Sequence, residues 1–208
     1  MPDSVKIYKR EWVRRGFLPV VRTLYSHLQF DGAWSKELDR EIIHRGNIIA
    51  VLPYDPVVDK YVLTKQFRIG AYWAPAKNED MPNDGVIWET VSGYVDEGES
   101  IEQAAKRELM EESGLTCSDL KSLGSVLTNP GMCDERLHLF LATVDSQNCE
   151  GIFGLESESE NIQVYALERK IVQQMMLEGD IEKASTLLAL YRAEGIISTK
   201  SMNLQPAL

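Results

Sequence analysis

The segment RELMEE, residues 107–112, carries three carboxylates at a spacing that suits a hard cation. It lies within SIEQAAKRELMEESGL, residues 100–115. There Ser100, with Gln103 three residues on, has the form of a capping box, and Gly114 is placed for a C-terminal stop. At about 100° per residue, Ile101, Ala104, Ala105 and Leu109 form an apolar arc. Glu108 and Glu112 fall about 20° either side of Ile101, inside that arc. Glu111 sits at its edge, and Lys106, Met110 and Ser113 point away. Carboxylates four residues apart repel by about 0.2–0.5 kcal/mol even on an exposed helix. Taken out of water unpaired, they protonate or destabilise the fold. Two readings follow: a solvated acidic face, or oxygen ligands for a divalent cation, Mg²⁺ first. Coincidence of the glutamates with the apolar arc favours the cation.

The chain has 208 residues, 44% hydrophobic and 26% charged, which is enough for one large domain or a domain with a smaller appendage. No apolar run approaches the ~20 residues that cross a bilayer, and MPDSVKIYKREW lacks the apolar stretch of a signal peptide. A cytoplasmic protein with no membrane partner is expected. A net charge of −10 argues against a large nucleic-acid footprint and requires local cations for any anionic substrate. Cys117, Cys133 and Cys149 form no CxxC pattern and read as buried or inert thiols. The scattered His27, His44 and His138 give little support to a histidine-centred site.

The elements that would position the acidic helix are mostly strands. SVKIYKREWV and FLPVVRTLYSHLQF are β-rich, with a turn at FDGAWS. NIIAVLPY reads as a buried strand, paired across the turn DPVVDK with KYVLTKQFRIGA. YWAPAKNEDMPNDG, residues 72–85, reads as a long surface loop. VIWETVSGYV is a strand leading through DEGES into the helix. Strands follow at LKSLGSVLTN and RLHLFLATV, then a polar loop SQNCEGIFGLESESEN, a last strand IQVYALE, helices near 168–178 and 181–193, and a loose tail NLQPAL. The class is α/β or α+β.

Outward from RELMEE the spacing is specific. Gly93, Glu99, Arg107, Glu108, Leu109, Glu111, Glu112, Gly114 and Leu115 satisfy G-x5-E-x7-R-E-U-x-E-E-x-G-U, where U is a bulky aliphatic, at every fixed position. The chain thereby resembles the Nudix hydrolases, which cleave nucleoside diphosphates linked to another moiety. The resemblance implies a Nudix α/β/α sandwich with a mixed sheet (residues 46–208), preceded by an antiparallel β segment (1–45) used in dimerisation. It implies Glu108 and Glu112 as ligands of Mg²⁺ or Mn²⁺, more than one ion per site, with Glu111 in or near the shell. The main-chain carbonyl of Ser92 completes it, and Arg107 pairs with a box glutamate such as Glu99. The chemistry agrees, since cleaving a polyanionic diphosphate requires charge neutralisation and an oriented water.

Pro130 lies 16 residues beyond Gly114. It is either a plain turn proline or a mark of the ADP-ribose pyrophosphatase branch. REIIHRGNIIAVLPYDP, KQFRIGAY, GYVDEGESIEQAAKRELMEESGL and GIFGLESESENIQVYAL together resemble the bacterial members of that branch. By that resemblance Arg40, Glu41, Arg45 and Arg68 contact the nucleotide and its diphosphate, a task suited to the planar guanidinium. Phe17 covers the adenine from the partner of a homodimer, and Tyr94, Asn129 and Glu135 line the pocket. The acidic run GLESESEN is either a solvated loop or one that supplies the general base. On the second reading Glu158 is the base, Glu160 adds a metal contact, and Glu156 is the lesser candidate. ETVSG lacks a proline that many relatives have ahead of the box, and Asn129 and Met132–Cys133 replace smaller residues, so the preferred second sugar is left open. The expected activity is hydrolysis of ADP-ribose to AMP and ribose 5-phosphate. The alternatives are another nucleotide sugar, such as GDP-mannose or a UDP-sugar, or a non-catalytic ADP-ribose-sensing module, which would be expected to lose box glutamates.

Overall fold

The computed structural model describes residues 4–77 and 83–202. The chain divides into two units, one of residues 1–47 with 126–136, the other of 48–125 with 137–208.

In the first unit, β1 (Val5–Arg14), β2 (Val20–His27) and β3 (Leu38–Ile43) form an antiparallel three-stranded sheet. Val21 and Ser26 of β2 are buried, whereas Val5, Ile7, Tyr8, Trp12 and Val13 of β1 are exposed. Segment 126–136 joins this unit at the end of β3. Ile43 N–H donates to Met132 O at 2.8 Å, and Asp134 accepts from the N–H groups of Arg45 (2.7 Å) and Gly46 (3.2 Å).

The second unit is built on β4 (Asn47–Asp55) and β5 (Lys60–Phe67), whose residues are buried on both faces. These strands pair at Tyr54↔Tyr61 and Asp55↔Lys60 beside their turn. Beyond that, β5 pairs with β6 (Val86–Glu89) and β4 with β7 (Val91–Tyr94). The stretch expected as one strand, VIWETVSGYV, is therefore two, and the switch is Thr90. That residue is fully buried; its N–H donates to Thr186 Oγ1 at 3.0 Å and its hydroxyl to Val51 O. Strands β8 (Cys117–Leu127), β9 (Arg136–Val144), β10 (Gly151–Phe153) and β11 (Ile162–Glu168) complete an eight-stranded sheet.

Alternation along the strands sends side chains to opposite faces. Val51, Val62, Val91 and Val164 pack against Ala104, Ala105 and Leu109 of helix α2 (Ile101–Ser113). Tyr61 faces the other way, and its hydroxyl donates to Glu194 Oε1 of α4 (Ala184–Met202) at 2.8 Å. Helices thus cover both faces, with α3 (Arg169–Glu178) packed against β11 and β5. The fold is mixed α/β, as expected.

Several boundaries differ from the sequence expectation. Strand β3 was not anticipated, and β10 lies inside the stretch expected as a polar loop. The strand expected over 60–71 ends at Phe67 and gives way to a short helix, α1 (Ile69–Trp73). The expected 72–85 loop therefore begins within α1; residues 78–82 lie outside the described residues, as does the tail at 203–208. The last helix starts at Ala184 rather than 181 and extends to Met202 rather than 193. The three cysteines are free, and Cys149 is buried.

Candidate active site

Helix α2 starts and stops where its sequence dictates. Ser100 Oγ accepts from Gln103 N–H and Gln103 Oε1 from Ser100 N–H, and Gly114 closes the helix at φ 67°. Its buried residues include Glu112, 3% exposed, with Ala104, Ala105 and Leu109. Ser113, expected to point away, is buried too. It lies only about 40° beyond Leu109 on the helical wheel, and its hydroxyl donates to Leu109 O at 2.5 Å.

The box glycine has a direct steric explanation. A Cβ on Gly93 would lie 2.0 Å from Glu108 Oε1, so only glycine lets this carboxylate approach β7 so closely. One residue earlier, Ser92 N–H donates to Glu112 Oε2 at 2.9 Å. Burial, reinforced by the charges of Glu108 and Glu160, pushes the Glu112 carboxyl up to about 8 despite that bond. Burial also raises Glu108, with Glu111 and Glu160 adding to the rise and Arg107 opposing it.

Arg107 gathers the box. Its Nε and Nη2 each donate to a Glu99 oxygen at 3.0 Å, Nη2 to Tyr94 O at 2.9 Å, and Nη1 to Glu108 at 2.7 Å and Glu111 at 2.9 Å. The expected pairing with Glu99 is present, together with two carboxylates of the helix.

Glu160 reaches the cluster from the loop after β10. Gly154, at φ 108°, donates its N–H to Glu111 O, and a Cβ there would lie 2.6 Å from Glu160 Cβ. Glu160 Oε2 accepts from Leu155 N–H at 3.1 Å. Glu156 and Glu158 lie exposed on a 3₁₀ turn, followed by Ser159 in the left-handed region. Glu108, Glu112 and Glu160 thus share one electrostatic environment, while Glu158 stands out from the same loop into solvent.

Beside Ser92 lies a group that sequence reading missed. Glu89, 2% exposed at the end of β6, accepts from Arg68 Nε (3.1 and 3.2 Å) and Nη2 (2.7 Å) and pairs with Lys183 Nζ at 3.0 Å. Lys183 also donates to Ser92 Oγ at 3.0 Å. A carboxylate inside the apolar run VIWETV was a signal for Glu89. Nothing local marks Lys183.

The remaining candidates belong to the first unit. Arg45 Nε lies 3.5 Å from Glu135 Oε2, and its guanidinium 5.9 Å from the centroid of the highly exposed Phe17 ring. Arg40 and Glu41 sit on β3, where Arg40 Nη1 donates to Asp39 O at 2.7 Å and Glu41 pairs in register with Arg22. Asn129 O accepts from the N–H groups of Met132 and Cys133, both at 2.9 Å. The structure therefore brings together Phe17, Arg45 and Glu135 in this unit, and Arg68, Ser92, Tyr94, Glu108, Glu111, Glu112 and Glu160 in the second.

Residues 44–183 match the NUDIX domain. The chain belongs to the Nudix hydrolase family. Over 188 residues, 90% of the chain, it is 38% identical to the ADP-ribose pyrophosphatase of Escherichia coli K12, covering 87% of that protein. The ADP-ribose pyrophosphatase of Haemophilus influenzae is 34% identical, with coverage of 90% and 85%. The GDP-mannose pyrophosphatase of Klebsiella pneumoniae is 32% identical, with coverage of 97% and 98%. A crystal structure of an ADP compounds hydrolase, 20% identical, shares the fold at a TM-score of 0.70 over 95% of this chain and 96% of that one.

Nudix hydrolases use divalent metal ions, and the residues of this chain fit one. The donor set is all oxygen, as hard cations require. Burial and the charges of neighbouring carboxylates raise the proton affinities of Glu108 and Glu112, a conflict that a cation in their midst would remove. Among the described residues no three His, Cys, Asp or Glu groups converge as a finished metal cage. Arg107 holds Glu108 and Glu111, and Ser92 N–H holds Glu112.

Proposed function

We propose that this Nudix hydrolase cleaves ADP-ribose to AMP and ribose 5-phosphate with Mg²⁺, or Mn²⁺ in its place. The observation that carries the reading is the cluster of Glu108, Glu112 and Glu160, in which burial and like charge raise the proton affinities of Glu108 and Glu112 and call for a cation. Glu108, Glu111, Glu112, Glu160 and the Ser92 carbonyl would hold the metal, more than one ion being accommodated by so many oxygens. Bound there, Mg²⁺ supplies charge neutralisation of the diphosphate and acidification of the attacking water.

The chain's own residues do the rest. Glu158, exposed on its 3₁₀ turn, takes the proton of the water that attacks phosphorus. Arg68, fixed by Glu89 through Nε and Nη2, would donate to a diphosphate oxygen. Phe17 and Arg45 offer a ring and a guanidinium to the adenine, with Arg40, Glu41, Tyr94, Asn129 and Glu135 contacting the remaining nucleotide. The exposed apolar side chains Val5, Ile7, Tyr8, Trp12 and Val13 of β1 support a homodimer formed through the N-terminal sheet, residues 1–45, with the Nudix domain over 46–208. A cytoplasmic location and the absence of nucleic-acid partners complete the proposal, the second supported by the net charge of −10. No helix among the described residues is long and apolar enough to cross a membrane.

The 32% identity to a GDP-mannose pyrophosphatase over nearly its full length favours GDP-mannose as the second reading. Initial rates on ADP-ribose, GDP-mannose and a UDP-sugar, with products identified by chromatography, separate the two. Preference for ADP-ribose with release of AMP supports the proposal. Preference for GDP-mannose with release of GMP replaces its substrate.

A further inference from the structure

Lys183 stands immediately before α4, its carbonyl accepting from Leu187 N–H at 3.1 Å. A cation is disfavoured there, because a helix N-terminus already carries partial positive charge. The residue is also largely buried, with a side chain 24% exposed, and a lysine taken out of water needs a compensating partner. Its partner is Glu89, 3.0 Å away, yet Glu89 is already bound at both oxygens by Arg68. The ammonium therefore brings more positive charge than Glu89 alone requires.

That surplus is directed at the carboxylate cluster. The same ammonium donates to Ser92 Oγ at 3.0 Å, and Ser92 N–H donates to Glu112 Oε2 at 2.9 Å. A single residue thus separates Lys183 from Glu112, the most buried carboxylate on α2. Where Arg107 gathers Glu108 and Glu111 through the helix itself, Lys183 comes from the far end of the sequence.

We propose that Lys183 is a resident counter-ion of the carboxylate cluster, stabilising it without metal and weakening metal binding by its fixed positive charge. The inference rests on the reading of the cluster as the metal site. A cation that shares the cluster with a divalent ion repels it, and the repulsion is screened less in a partly buried site than on a surface.

The test is Mn²⁺ binding to the full chain, followed by electron paramagnetic resonance at constant pH. Lys183→Gln removes the charge and keeps an N–H donor for Glu89 and Ser92; it is expected to lower the Kd for Mn²⁺ by about tenfold and to lower the melting temperature of the metal-free protein. Lys183→Arg keeps the charge and should bind within about twofold of wild type. Glu89→Gln leaves the Lys183 charge less balanced and should weaken binding, the opposite sign to Lys183→Gln. A purely structural tie would weaken binding in both variants, and that result, or an unchanged Kd in Lys183→Gln, overturns the inference. If Glu112→Gln binds Mn²⁺ as tightly as wild type, the metal-site reading falls and takes the inference with it. If Glu112→Gln loses binding while Lys183→Gln stays unchanged, only the counter-ion role falls.

Discussion

Glu112 makes the metal-free protein sensitive to pH in a direction opposite to that of most paired carboxylates. In the folded chain its carboxyl is pushed from an ordinary 4.5 up to about 8, chiefly by burial. A group whose folded value lies above its unfolded value contributes stability that is complete below about pH 4.5 and is lost as pH rises through 8. Each tenfold gain in proton affinity on folding corresponds to about 1.4 kcal/mol, so the loss across that window is about 5 kcal/mol. With the side chain 3% exposed, solvent screening takes little from this figure. Glu112→Gln removes the titration and keeps an oxygen for Ser92 N–H. Urea denaturation with a chelator present, at pH 5 and pH 8.5, gives the comparison. The variant is expected to match wild type at pH 5 and to exceed it by several kcal/mol at pH 8.5. Other titrating groups are common to both proteins and largely cancel in the difference. A difference between the two that does not change with pH would refute the reasoning, because it would mean that Glu112 ionises normally in its buried position. Saturating Mg²⁺ should abolish the advantage of the variant, since the cation favours the ionised carboxylate.

Gly93→Ala would place a methyl group 2.0 Å from Glu108 Oε1; hydrolysis is expected to fall by about a hundredfold or more, with weaker Mn²⁺ binding by titration. Arg107→Met strips hydrogen bonds from Glu99, Glu108, Glu111 and Tyr94 O. The expected destabilisation is about 3–5 kcal/mol without metal and less with Mg²⁺, as measured by chemical denaturation. Glu158→Gln should lower kcat by about 10²–10⁴-fold while leaving Mn²⁺ affinity near wild type; Glu160→Gln should weaken Mn²⁺ binding, and calorimetry distinguishes the two.

What was legible in the sequence was what local chemistry controls. Ser100, Gln103 and Gly114 announce the ends of α2, and the apolar arc announces its buried face. RLHLFLATV coincides with β9 from first residue to last. Contacts distant in sequence account for the differences. Nothing within VIWETVSGYV breaks the strand; the break at Thr90 is fixed by Thr186 Oγ1, 96 residues away. Lys183 was missed for the same reason, since its partners Glu89 and Ser92 come from strands more than 90 positions earlier. Gly93 was found as a motif position, but its physical necessity is visible only once Glu108 is seen against it. Ser113 was misplaced because a wheel cannot show how far the neighbouring strands wrap around a helix.

The most direct test of the central claim is release of AMP from ADP-ribose by wild type and by Glu108→Gln, each with Mg²⁺ and with chelator. Hydrolysis is expected in wild type only with the metal, with a fall of at least about a hundredfold in the variant. Equal hydrolysis by the two proteins, or hydrolysis that persists under chelator, would contradict it.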